Sequence, residues 1–232
     1  MGTKQQAIHQ LIHSIINYIE KNKTQTPGAT LILQKLAQME LTPDNMCDAT
    51  PQSTRHDDIL NQAIAGITAP GLNEIAINLQ QAKEHLVWRE DEGKYYQSGA
   101  NLGEGYRNCN LHSLLIGPGA CGFEQADFNF GIFMLGPRTL YRDHRHTAPE
   151  LYLNLSERSG WRLHGGDWQD YPAGSLIWNA SGEVHATRVY EQPFISVFSW
   201  LKDIHEPCEV VAMDDWNAIE QALWTNDTSR TS

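Results

Sequence analysis

About ninety residues into this chain the spacing of its apolar residues changes, and no single layer of secondary structure can accommodate both patterns. Ile8, Leu11, Ile12, Ile15 and Ile19 recur at helical spacing before the polar TQTPG break, and Leu31, Leu33, Leu36 and Met39 form a second stripe. Ile59, Leu60, Ala63, Ile64 and Ile67 form a third, and Leu72, Ile75, Leu79, Ala82 and Leu86 a fourth after Pro70-Gly71. Beyond residue 90 glycine becomes denser, and short apolar runs are bounded by turn signals such as GPGACG and LGPR. The runs predict strands over 111–116, 128–135, 149–155, 161–164, 174–178, 184–190 and 194–201. The expected fold is mainly β with a helical N-terminal part, the strands closing into a jelly-roll barrel. The expected divisions are a helical segment over 1–100 packing on the barrel, the barrel over 101–210, and a C-terminal helix and tail over 211–232. QSGANLGEGYRN reads as the connector between the first two.

The 232 residues include 28 acidic and 17 basic side chains, a net charge of -11, which argues against a surface that tracks nucleic-acid phosphates. A small-molecule partner is expected instead. MGTKQQAIHQ lacks the basic-then-apolar pattern of a secretory signal, and no apolar run reaches the length of a membrane span, so a cytoplasmic protein without membrane contact is expected. Cys47, Cys109, Cys121 and Cys208 are scattered without a C-x-x-C pair and read as free thiols. The helical half could cap the barrel, cover an edge strand or form a homodimer interface, and periodicity does not choose among these.

Residues 144–152 read HRHTAPELY. In an extended segment side chains alternate between faces, so His144, His146, Glu150 and Tyr152, all at even positions, would share one face. With His185 they make four candidate metal ligands beside a phenol. Imidazole and carboxylate together suit divalent zinc, iron, manganese, nickel or cobalt, with no preference readable among them. His9, His13, His56, His85, His112 and His205 have no such company and read as solvated or structural. Arg142, Arg162 and His164 are candidates for binding a substrate carboxylate, although their spacing does not separate that role from solvated charge.

The H-x-H pair followed by Glu150 resembles the first motif of the cupin superfamily. Gly174, Gly182 and His185 fall at the offsets of the second motif, with Ala180 where that motif has proline. Tyr152, two residues after the glutamate, and Tyr141, five before the second histidine of H-x-H, make the chain similar to cupin-type dimethylsulfoniopropionate lyases of the DddL type. The resemblance implies a double-stranded β-helix and a metal-dependent carbon–sulfur lyase that eliminates dimethyl sulfide from its substrate and leaves acrylate. It further implies Tyr152 as the base and Tyr141 as a second catalytic candidate. Tyr141 has the opposite strand parity to His144, so sharing a pocket with it requires a local bulge. Aromatic faces attract onium groups, and Tyr141, Trp161, Trp178 and Trp200 are candidates for that role. The same ligands would also serve a cupin dioxygenase, a sugar isomerase or a non-catalytic small-molecule-binding cupin.

Overall fold

The computed structural model describes residues 2–225, so the tail beyond them lies outside the described residues. The four apolar stripes form α1 (Thr3–Asn22), α2 (Pro27–Leu36), α3 (Asp57–Ala65) and α4 (Asn73–Ala82). Pro27 opens α2, where its missing N–H costs nothing. A short helix not anticipated in the connector, α5 (Glu104–Asn108), precedes the strands.

Among the described residues ten strands follow: β1 (Asn110–Ile116), β2 (Asn129–Leu135), β3 (Leu140–Arg145), β4 (Glu150–Asn154), β5 (Arg158–Leu163), β6 (Trp168–Pro172), β7 (Leu176–Asn179), β8 (His185–Arg188), β9 (Phe194–Trp200) and β10 (Glu209–Val210). They build two five-stranded sheets, ordered β1-β2-β9-β4-β7 and β10-β3-β8-β5-β6, with antiparallel neighbours throughout. This is the expected double-stranded β-helix. The last helix, α6, spans Trp216–Thr225.

The first sheet is buried on both faces, which is why β1 and β2 read as nearly continuous apolar runs. Its outer face, including Leu111, Leu115, Phe130, Ile132, Leu151 and Val197, shares one core with the helical stripes. Its inner face contributes Leu114, Phe133, Tyr152 and Phe198 to the barrel interior. Helix α6 covers the second sheet through Ile219 and Leu223, which pack with Leu140 and Tyr190.

Ile8, Leu11, Ile12, Ile15 and Ile19 are fully buried, and each such side chain contributes about 1.5–3 kcal/mol. Removing residues 1–90 would expose the outer face of the first sheet to water. The truncated chain is therefore expected to aggregate on expression; a soluble fragment with an unchanged near-UV circular dichroism spectrum would show that the sheet stands alone.

Two sequence expectations change here. β3, β6 and β10 were not foreseen, because β3 (LYRDHR) and β6 (WQDYP) carry charged and polar residues where a buried strand would show apolar ones. Residues 144–152 are not one strand either: β3 ends at Arg145, a turn carries His146 to Pro149, and β4 begins at Glu150 in the opposite sheet.

Candidate metal centre

His144 and His185 face each other across the β3–β8 pair, with ring centroids 4.2 Å apart. His146 follows in the turn, its ring 5.0 Å from that of His185. One ligand nitrogen from each of the three lies within 4.8 Å of the others, and all three residues are buried. Glu150 enters from the other sheet, its Oε2 3.2 Å from His146 Nε2 and 3.3 Å from His185 Nε2. Two sheets closing on each other, not parity along one strand, bring these groups together.

The ring nitrogens are sorted by their partners. Each Nδ1 meets a backbone carbonyl: Arg142 at 2.7 Å from His144, Ala148 at 2.7 Å from His146, and Glu183 at 3.0 Å from His185. A carbonyl only accepts, so each Nδ1 carries the proton in the neutral ring and each Nε2 presents a bare lone pair. Burial, with His185 and His146 alongside, pushes the pKa of His144 well below the ordinary histidine value and keeps it neutral. Burial pushes the Glu150 carboxyl up, but positive charge or N–H donation at the His146 and His185 positions outweighs it and holds the group well below the usual carboxylate range, the role a bound cation takes when the rings are neutral. With a proton on each Nδ1 only, the Nε2 lone pairs of His146 and His185 would face the carboxylate with no proton between them, and among the described residues His185 Nε2 has no hydrogen-bond partner. A cation resolves that conflict, and the donor set fits a divalent transition metal.

Outer contacts fix the carboxylate. Trp200 Nε1 donates to Glu150 Oε1 at 2.7 Å, Asn179 Nδ2 reaches Oε2 at 3.3 Å, and Tyr152 lies on the same cavity wall. Such contacts orient a ligand set.

The pairing of β3 with β8 shifts register between Tyr141 and His144, the bulge that parity required. Arg142 and Asp143 both turn outward there. Arg142 pairs with Glu220 of α6 at 2.9 Å and lies over the Trp216 ring, while Arg162 Nε bonds Asp143 at 2.9 Å. These two arginines serve the bulge and α6 and do not line the cavity. Asp143 is 0% exposed and Arg162 4%, so removing one partner strands a buried charge. Arg162→Met is expected to cost about 3 kcal/mol, lowering Tm by roughly 6–12 °C in a thermal melt; an unchanged melt would mean that the Trp216 indole alone satisfies Asp143.

Tyr141 and Tyr152 line a cavity of about 50 Å³ beside His144, His146 and Glu150. Tyr141 lies 4.2 Å from His144 between ring centroids and stacks on Tyr106 at 4.6 Å. Its hydroxyl meets that of Tyr96. Trp200 also lines the cavity; Trp161 and Trp178 do not. Trp161 packs against Tyr152 at 4.9 Å with its N–H bonded to Ser159, so it backs a wall residue instead of meeting a ligand. Trp178 pairs with Leu151 on the outer face of the first sheet and lies flush against Gly28 of α2. Its strand parity points it away from the barrel.

Sequence reasoning missed Asp91, Tyr95, Tyr96, Tyr106 and Cys208, all on the cavity wall, and set His112 aside. The adjacent tyrosines in GKYYQSG, an unusual pair in a polar connector, were an available signal. His112 shares β1 parity with inward-facing Leu114, and burial, with Lys94 and Arg89 nearby, lowers its pKa to about 4.

A model of the dimethylsulfoniopropionate (DMSP) lyase family matches residues 28–196 of the chain. The curated DMSP lyase DddQ of Ruegeria pomeroyi is 28% identical over 107 residues, covering 46% of this chain and 52% of that protein. The chain thus aligns with about half the length of this relative. A chain from the crystal structures of the DMSP lyases RdDddP and RnDddQII superposes with a TM-score of 0.69 at 17% identity, covering 90% of this chain and 100% of that one. The crystal structure of Ruegeria pomeroyi DddQ gives 0.63 at 19% identity, covering 88% and 96%. At these identities the structural likeness bears on the fold.

Proposed function

The chain belongs to the DMSP lyase family, and from that premise we propose that it cleaves DMSP by β-elimination to dimethyl sulfide and acrylate. The observation that carries this reading is the convergence of three bare imidazole nitrogens and Glu150 beside two buried tyrosines, in a cavity walled largely by aromatic rings. Among the described residues no Lys or Arg lines that cavity, so a substrate carboxylate would find no cationic side chain among them. A divalent ion held by His144, His146, Glu150 and His185 would supply that positive charge, making the α-proton more acidic and favouring a nearby phenolate.

Tyr152 is proposed as the base. Burial, followed by the Glu150 carboxylate, holds its phenol well above the ordinary value, so the resting side chain keeps its proton and stays inert until positive charge enters. The phenolate then takes the α-proton, the C–H electron pair becomes the new double bond, and the C–S pair leaves with the sulfur. Dimethyl sulfide departs neutral and needs no acid. Tyr141, also raised by burial and by the neighbouring Tyr152, is proposed to orient the substrate against the His144 ring. The wall of rings disfavours water and attracts an onium group without trapping it.

Metal-loaded protein incubated with DMSP in the absence of oxygen should release acrylate and dimethyl sulfide in equal amounts, read by chromatography. A dioxygenase would be silent without oxygen, and a sugar isomerase would leave the sulfonium compound intact. DMSP surviving intact under these conditions rejects the proposed activity.

A further inference from the structure

Asp91 is a carboxylate on the cavity wall that is only 5% exposed. Its Oδ1 accepts hydrogen bonds from the Gly93 and Lys94 amides at 3.0 and 3.1 Å, and its Oδ2 accepts one from the Tyr106 hydroxyl at 2.9 Å. Three donors suit an acceptor-only group. None of them is charged, and among the described residues Asp91 makes no ion pair. The Lys94 ammonium lies instead over the Tyr95 ring, 4.9 Å from its centroid. Buried charges are ordinarily paired, because a lone one pays the full loss of hydration. Among the described residues no Lys or Arg lines the cavity that Asp91 faces, which leaves room for a counter-charge supplied by a bound cation.

Two ring contacts separate it from the histidines: Tyr106 stacked on Tyr141 at 4.6 Å, and Tyr141 tilted against His144 at 4.2 Å. The cavity therefore has an anionic end at Asp91 and a metal-ligating end at His144. Resting on the lyase reading above, we infer that Asp91 and the Tyr106 ring form the seat of the substrate's onium pole. The subsite takes small carboxylates bearing a sulfonium or quaternary ammonium group and discriminates against neutral compounds of the same shape. Aromatic faces alone would prefer a cation only modestly; a facing carboxylate in a desolvated cavity sharpens that preference.

The test compares 3-(trimethylammonio)propanoate with 4,4-dimethylpentanoate, which differ in charge but hardly in shape, binding to the metal-loaded protein by calorimetry. Wild type is expected to bind the cationic probe at least about tenfold more tightly. Asp91→Asn should cut that ratio by about tenfold while leaving the neutral probe within about twofold of wild type. Should the Asn variant not fold, Asp91→Glu and Asp91→Gln form a second pair of equal size in which only the charged member keeps the preference. A wild-type ratio near one, or a ratio unaffected by removing the charge, overturns the subsite. Binding is read without turnover, so charge discrimination with no acrylate release rejects the lyase reading and keeps the subsite. Acrylate release with a ratio near one does the reverse.

Discussion

Dialysis against a chelator is expected to bring acrylate release to background, and adding back a divalent first-row ion to restore it. His146 Nε2 and His185 Nε2 lie 3.2 and 3.3 Å from Glu150 Oε2, and among the described residues no Lys or Arg lines the cavity to neutralise a substrate carboxylate. A Lewis acid contributes several kcal/mol to stabilising the developing negative charge, a loss on the order of 10³-fold or more when it is removed. His146→Ala, Glu150→Ala and His185→Ala should each lower metal content by elemental analysis, whereas exposed His205→Ala should not. Full turnover by metal-free protein would remove the basis for a metal-dependent reaction. Ions can be ranked only by reconstituting the apoprotein with each of zinc, iron, manganese, nickel and cobalt, because a mixed His/Glu set binds all of them.

Tyr152→Phe is expected to lower kcat by about 10² to 10⁴-fold with metal content near wild type. The ring is packed between Trp161 at 4.9 Å and Phe133 at 6.3 Å, contacts that phenylalanine keeps. The Glu150 carboxylate stays held by Trp200 and Asn179 when the hydroxyl is lost. The loss should therefore fall on chemistry and spare occupancy. The pH profile gives an independent reading. The active form of a base is the deprotonated one, and burial with Glu150 nearby raises the phenol, so activity should climb as pH rises toward its value. The Phe variant should lack that alkaline limb. If Tyr152→Phe retains near-normal kcat, the base lies elsewhere, and Tyr141→Phe becomes the next substitution to measure.

Much of the fold was legible because local spacing reports which face of an element is buried. The helical stripes marked α1 to α4, and the runs that became β1, β2 and β9 stood out because the first sheet is apolar on both faces. β3 was invisible for the complementary reason: its inward positions carry Tyr141 and His144, and its outward ones carry Arg142 and Asp143, which pair with α6 and β5. A strand whose buried residues are polar has no hydrophobic period to read.

The candidate ligands were legible by residue type, since His144, His146, Glu150 and His185 are the chemistry a metal requires wherever they lie. How they converge was not. Same-face parity along one strand predicted the right neighbours for a wrong reason, because His144 and Glu150 belong to opposite sheets. Trp178 has the composition of a pocket residue, yet its pairing with Leu151 turns it outward onto Gly28. Tyr141 enters the cavity only through the bulge in β3.

By itself the sequence determined where helical packing gives way to strands and which side chains could bind a metal, because both depend on residue type and short-range spacing. Only the tertiary structure decided which rings face the cavity, which arginines leave it, and that Asp91 is buried with no ion pair among the described residues. Those outcomes depend on pairings between distant segments, such as Glu150 with Trp200 and Asp91 with Tyr106. Desolvation and charge balance are properties of the closed barrel, which no local window of the chain contains.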